Sequence, residues 1–417
     1  MPVKAGSRAG APAKTLPEGD KEMEGRTGLD SLRAQTEAVL ADVWGGQPRL
    51  DVGTQLTEAG RRNLVVRFAV VHPASSAPAT VLVKQANTGD YDPERPSPAT
   101  LGLFSDWAGV QFLNAIERAT PLSPRFYGGD RAAGLVVLED LATTGSLADL
   151  LLGTDAPAAE RALIYLAAGL GQMHAATIGK AADFARVWAT LHPPDESAPP
   201  LWTLSAAESS LHAALGSLGI TPEDTFWAEV HGVAQSMEDP GPFSAYTHGD
   251  PCPDNCLLTP SGLRMIDFEI GRFRHALTDG VYGHVNFPTC WCANQLPPRV
   301  VTAMEDTYRS ALVTGCPQAA DDALFGAAVT EACAFWTLGW LGEPLTRALT
   351  EDNTWGIVTV RQRIAARVTA FLRVAEERDC LPSIRLIVAR VYEELERRWT
   401  PEERDLPYYP SFRSQTS

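Results

Sequence analysis

The sequence predicts an α+β chain in which a small β-rich region precedes a larger, mainly helical one. Three observations carry this. From Leu50 to Leu141, short β-prone runs alternate with turn-rich connections. After Leu141 the apolar spacing becomes helical. One stretch, Tyr246 to Glu269, interrupts the helices with a compact, acid-bearing hairpin pattern. With 417 residues and 45% hydrophobic content, the chain can build a sizeable core and two lobes.

Residues 1–26 are Gly, Pro, Ala and charge without periodicity, which predicts disorder. Leu29 to Trp44 is helical, with Leu29, Leu32, Thr36, Val39, Leu40 and Val43 on one face and Gly45-Gly46 as the stop. Five strands follow, over Asp51–Leu56, Leu64–Val71, Thr80–Ala86, Arg125–Gly129 and Gly134–Leu141, with one helix, Leu103–Ile116, after the third. Helices are expected from Ser146, over Ala158–Thr177, near 204–217 and 222–238, and again from Pro297 to about Trp399. The domain reading is therefore 1–26, 27–141 and 142–417.

The Tyr246–Glu269 stretch has a definite geometry. Cys256-Leu-Leu258 and Leu263–Asp267 read as two strands around the turn residues Thr259-Pro-Ser-Gly262. Pairing Leu258 with Leu263 sets Cys256 opposite Met265 and Asn255 opposite Ile266. Asn255 and Asp267 then share the open end of the hairpin, roughly 5–8 Å apart, and Asp250 lies on the loop feeding it. Two carboxylates and an amide oxygen converging on one point suit Mg²⁺ shared with substrate phosphates, which points to phosphoryl transfer.

The net charge of −16, with no Lys/Arg-rich run, argues against nucleic acid. It is read first as a solubility device; it would also draw a cationic substrate. Seven Cys, an odd number, and no apolar signal segment predict buried free thiols in a cytoplasmic protein. Cys252, Cys256, Cys290 and Cys292 suggest zinc only weakly, because C-x-C is tight for a structural site. The most apolar window, Ala323–Leu341, contains Glu331 and reads as a core helix, so no membrane partner is expected.

The run His248-Gly249-Asp250…Asn255, the later Ile266-Asp267-Phe268-Glu269 and the upstream strand Lys84 resemble the aminoglycoside phosphotransferase and choline kinase-like family. The likeness spans roughly residues 50–285. It implies a bilobal protein-kinase-like fold, with an antiparallel five-stranded N-lobe carrying one helix, and a mainly helical C-lobe. It implies ATP, with GTP as the open alternative, and Mg²⁺. Asp250 would orient the acceptor hydroxyl and take its proton; Asn255 and Asp267 would hold the metal. Lys84 would meet the α/β-phosphates, held by Asp106, a departure from the family's longer Glu. Gly60 and Asn63 belong to the phosphate-covering loop, sparse in Gly here. Leu138, Glu139 and Asp140 would offer main-chain groups to the base. His248 would hold its loop and Asp279 would brace it, while His174 reads as a satisfied core histidine.

The resemblance also implies that the acceptor sits between inserted and C-terminal helices, here residues 178–243 and 300–400, which carry Trp188, Trp202, Trp227, Glu331, Trp336, Trp340 and Glu343. Phe287–Cys292 would border it. Three readings follow: a phosphotransferase acting on a hydroxyl of an antibiotic, sugar or amino alcohol; a peptide or protein Ser/Thr kinase; and a non-catalytic nucleotide-binding scaffold. The intact Asp250, Asn255, Asp267 and Lys84 disfavour the last.

Overall fold

A computed structural model describes residues 18–58, 61–71, 77–87, 91–116, 121–192 and 203–415. The chain forms two compact units. The first comprises Met1–Asn114, Pro124–Leu141 and Ala189–Trp202; the second comprises Ala115–Ser123, Ala142–Trp188 and Thr203–Ser417.

The first unit opens with helix α1 (Glu18–Trp44), so the part of the 1–26 segment from Glu18 onward is helical; residues 1–17 lie outside the described residues. An antiparallel sheet follows: β1 (Thr54–Gln55), β2 (Asn63–Ala69), β3 (Thr80–Ala86), β4 (Phe126–Asp130) and β5 (Leu135–Glu139), in the order β1-β2-β3-β5-β4. The five strands and the intervening helix are those the alternation predicts. The first strand is shorter than expected, because Asp51 turns its carboxylate onto the Val52 N–H at 2.7 Å, a local bond that competes with pairing. Helix α2 (Pro98–Asn114) starts earlier than expected. Ser97 Oγ accepts from Thr100 N, and Pro98 suits the first helical turn.

Strand periodicity decides where Lys84 points. Val66, Phe68, Val81 and Val83 face a core completed by Leu32 and Leu40 of α1. Lys84 is next in line, so it projects to the opposite face of the sheet, toward α2.

The second unit begins with β6 (Gly145–Ser146), α3 (Leu147–Leu152), α4 (Ala156–Thr177), α5 (Ala181–Leu191, its last three residues in the first unit), α6 (Leu204–Ser217) and α7 (Asp224–Glu238). Its middle holds β7 (Ser244–Thr247), β8 (Cys256–Thr259), β9 (Gly262–Met265), β10 (Arg272–His275) and α8 (Leu277–Gly280). Then come α9 (Pro298–Leu312), α10 (Asp322–Trp340), α11 (Glu343–Ala348), a hairpin of β11 (Thr354–Trp355) and β12 (Val358–Thr359), α12 (Val360–Glu377), α13 (Pro382–Arg398) and α14 (Pro401–Arg404). The β8–β9 register is the expected one, with Leu258 opposite Leu263 and Cys256 opposite Met265. Two pairings are additional: β6 extends this hairpin through Gly145–Leu258, and β7 pairs with β10, setting Thr247 against Arg272.

Helix α4 approaches α9 closely because Gly171 has no Cβ; one there would meet the Tyr308 carbonyl at 2.4 Å. The apolar helix α10 is buried, including Trp336 and Trp340. Among the described residues, no helix is long and apolar enough to cross a membrane.

Candidate active site

The catalytic-loop candidates hang between β7 and β8. Gly249 has φ +82°, and a Cβ there would collide with Arg274 Nη2 at 2.0 Å and the Ile270 carbonyl at 2.8 Å, so only glycine fits. Asp279, fully buried on α8, accepts from His248 N at 2.7 Å and Gly249 N at 3.2 Å. Burial pushes its carboxyl up, but the nearby His174, Arg274 and His248 outweigh that and hold it below the usual range. His174 Nε2 lies 3.6 Å away, while its Nδ1 meets Tyr308 Oη at 2.8 Å. His248 ties the loop to the hairpin through Nε2 and the Ile266 carbonyl at 2.9 Å, and its Nδ1 accepts from Asp250 N at 3.3 Å. Both supporting residues therefore act on the backbone around Asp250.

Asp250 itself is a half-buried carboxylate, and among the described residues no Lys or Arg is ion-paired with it. Burial is the main cause that raises its carboxyl to about 7; Asp254, Asp279 and Asp267 add to the rise, while a hydrogen bond from Thr289 opposes it. Thr289 Oγ1 donates to Asp250 Oδ1 and lies 3.1 Å from Tyr282 Oη. Tyr282 Oη in turn donates to the Gly249 carbonyl at 3.0 Å. A carboxyl poised near neutrality suits a group that orients a hydroxyl and takes its proton.

Asn255 ends a short 3₁₀ turn, Pro253–Asn255. Its backbone carbonyl accepts from Ile266 N at 3.0 Å, which fixes it opposite Ile266 at the hairpin mouth. Its Nδ2 donates to the Asp250 carbonyl at 3.0 Å, which turns the amide oxygen the other way. Asp267, just past β9, is held in the left-handed region at φ 65°, a strained setting for a non-glycine residue. Half-buried oxygen donors of this kind fit a hard cation such as Mg²⁺.

In the first unit, Lys84 Nζ donates to Asp106 Oδ2 at 2.7 Å, and both are buried. The shorter Asp thus reaches the lysine directly. Leu138 and Glu139 sit at the end of β5, with Leu138 buried. The Glu139 side chain accepts from Arg125 N at 2.9 Å, and Asp140 takes a bidentate pair from Arg67 at 2.6 and 2.9 Å. These side chains are committed within the unit. Asn63 begins β2, in register with Ala86. Gly60 lies outside the described residues.

The chain is similar to choline and ethanolamine kinases and to aminoglycoside phosphotransferases. A choline/ethanolamine kinase family protein from Mesorhizobium loti is 17% identical, over 86% of this chain and 99% of that one, at a TM-score of 0.42. An ethanolamine kinase from Plasmodium vivax is 11% identical, over 81% and 84%, at 0.44. The GDP complex of wild-type aminoglycoside 2′-phosphotransferase-IIIa is 12% identical, over 88% and 99%, at 0.36. No family model matches the chain, and no curated protein sequence matches it. At such identities and TM-scores, the chain's own residues carry the reading of the site.

The segment after α8 holds what the sequence did not reveal. Asn286 and Phe287 are both left-handed, at φ 55° and 51°, and turn the chain back so that Thr289 and Cys290 reach the Asp250 loop. Arg367 Nη2 donates to the Pro288 carbonyl at 2.7 Å, and Arg363 Nη2 to the Trp291 carbonyl at 3.1 Å. Trp291 Nε1 donates to Asp254 Oδ2 at 2.9 Å. The expectation of free thiols needs correction here. Cys252 and Cys290 form a disulfide across 38 positions, with Cα atoms 5.4 Å apart. Cys256, Cys292, Cys316, Cys333 and Cys380 are free. Spacing alone could not reveal that pairing, because it depends on the two left-handed residues.

Proposed function

We propose that the chain catalyses Mg²⁺-dependent transfer of the ATP γ-phosphate to a hydroxyl of a small molecule. The observation that carries this reading is Asp250: a carboxyl raised to about 7, held by Thr289, on a loop braced through Gly249 and His248 by Asp279. In a loose phosphoryl-transfer transition state, positioning of the nucleophile matters more than basicity. A fixed Asp250 aligns the acceptor hydroxyl and receives its proton late in the transfer.

Asn255, through its amide oxygen, and Asp267 would hold Mg²⁺, which when bound neutralises charge on the phosphates. Lys84, kept extended by Asp106, is assigned to the nucleotide's α/β-phosphates, and the main chain after Leu138 to the base. The acceptor class is read from the acidic surface as neutral or cationic rather than anionic.

The test is transfer of labelled γ-phosphate from Mg·ATP to a panel of aminoglycosides, nucleoside antibiotics, sugars, amino alcohols and hydroxyl-bearing peptides. Transfer to a small acceptor that vanishes in Asp250→Ala, while Mg·ATP still binds, supports the reading. Undiminished transfer in that variant overturns the role of Asp250. Transfer to peptides alone overturns the acceptor class.

A further inference from the structure

The disulfide stands directly on the proposed catalytic aspartate. Cys252 Sγ lies 2.8 Å from Asp250 Oδ1 and 3.3 Å from Thr289 Oγ1. The Asp250 carboxylate and the two sulfurs all fall within 4.8 Å of one another. Cys252 and Cys290 are 4% and 0% exposed. A thiol at this distance donates S–H to the carboxylate; a disulfide sulfur has no hydrogen to donate. The two states of one sulfur therefore present opposite faces to the same oxygen.

We propose that Cys252 and Cys290 are an oxidative modification site for a small peroxide, and that their disulfide lowers phosphoryl transfer by removing one of the two donors that fix Asp250. This rests on the role given to Asp250 above. As a dithiol, Cys252 donates to Oδ1 beside Thr289, and two donors fix the carboxylate. As a disulfide, only Thr289 donates, and the sulfur turns lone pairs toward Oδ1. The carboxylate stays beside the sulfur but is fixed by one donor in place of two, so it holds the acceptor hydroxyl less firmly in the alignment on which such a reaction depends. The bond also ties the Asp250 loop to the Phe287–Cys292 segment that borders it.

The chemistry balances within the cluster. Cys252 passes its proton to Asp250 Oδ1, and the thiolate attacks one oxygen of hydrogen peroxide. The O–O bond breaks, and the departing oxygen leaves as water with the proton from Asp250. Cys252 is then a sulfenic acid. The Cys290 sulfur attacks it, the S–O bond breaks, and the hydroxyl leaves as a second water with the Cys290 proton. Both sulfurs are oxidised by one electron each and the peroxide is reduced. A thiol reductant reverses the bond by exchange. With Cys252 4% and Cys290 0% exposed, small reagents are favoured in both directions: a peroxide as oxidant and a small dithiol such as dithiothreitol, attacking at Cys252, as reductant.

The experiment uses the full chain, reduced with dithiothreitol or treated with hydrogen peroxide. Non-reducing peptide masses locate the cross-link, and γ-phosphate transfer is compared in the two states. The expected result is a Cys252–Cys290 link, a kcat about tenfold or more lower when oxidised, an unchanged KM for ATP, and full recovery on reduction. Peroxide should leave the turnover of Cys252→Ser unaltered, since the serine keeps a donor beside Asp250 Oδ1 and has no sulfur to oxidise, yet still inhibit Cys292→Ala. A verified link with unchanged turnover overturns the proposal, as does a link elsewhere or none. If neither state transfers phosphate, the phosphotransfer reading has failed. The site is then judged by its oxidation rate at a fixed pH: slower linking in Asp250→Asn supports the contact, and an equal rate refutes it.

Discussion

The molecule withdraws two acids from solvent, Asp106 fully and Asp250 in large part, and treats them in opposite ways. Asp106 meets a full opposite charge, Lys84, at 2.7 Å. Asp250 meets a hydroxyl donor from Thr289, and Asp254, Asp279 and Asp267 all push its carboxyl up. Among the described residues, no Lys or Arg pairs with it. A compensated charge holds a lysine in one place. An uncompensated one near neutrality is ready to exchange a proton. The contrast teaches that burial alone does not mark a reactive group; the partner does.

The sharpest way to break this comparison is Asp250→Asn. It keeps the shape and removes the proton acceptor, so kcat is expected to fall by about 10²–10⁴-fold, while calorimetry finds Mg·ATP affinity retained. Asp106→Ala should act on the other side of the contrast. It removes the acid that a buried ammonium donates to at 2.7 Å, and denaturant unfolding should show a loss of about 3–5 kcal/mol.

The pH dependence of stability comes next. A carboxyl raised from 3.8 to about 7 stabilises the fold below its unfolded value, and that contribution is lost as pH rises through about 7. Asp250→Asn should therefore melt above the parent chain at pH 8, by a few kcal/mol in order of magnitude, with the gap closing toward pH 4. The activity of the parent chain should rise with pH through about 7. Smaller effects follow from its neighbours. Thr289→Val removes a donor that lowers the Asp250 carboxyl, so the acid limb of kcat should move to higher pH. Asp254→Asn removes a repelling charge, and the same limb should move slightly lower. Pre-steady-state phosphate transfer across pH separates the two.

Much of this was legible in the sequence, for local reasons. Alternation located the strands, and the Thr259–Gly262 turn fixed the register that puts Asn255 at the hairpin mouth. The lysine could be named because a charge at the end of an apolar strand needs a partner; its acid, Asp106, came from the resemblance to the family's Glu-led helix. Thr289, Tyr282 and Cys290 were not legible, because their arrival at Asp250 depends on two left-handed residues of ordinary type, Asn286 and Phe287. Their anchors, Arg363 and Arg367, lie far along the chain in α12. Arg67 with Asp140 was missed for a similar reason: the pair joins β2 to the end of β5 across 73 positions.

Those two arginines have a consequence for how such a chain can diverge. Each is buried, each is lowered by that burial, and each gives a hydrogen bond to the carbonyl of a residue flanking Thr289 and Cys290. Arg363 also rests on the Trp355 ring and Arg367 on Trp340. A change in α12 therefore acts on the backbone beside Thr289 and Cys290, the two residues that reach the Asp250 loop. A lineage acquiring a new acceptor is freer to rewrite α5–α7 than this helix, and related chains should keep these two positions while those helices change.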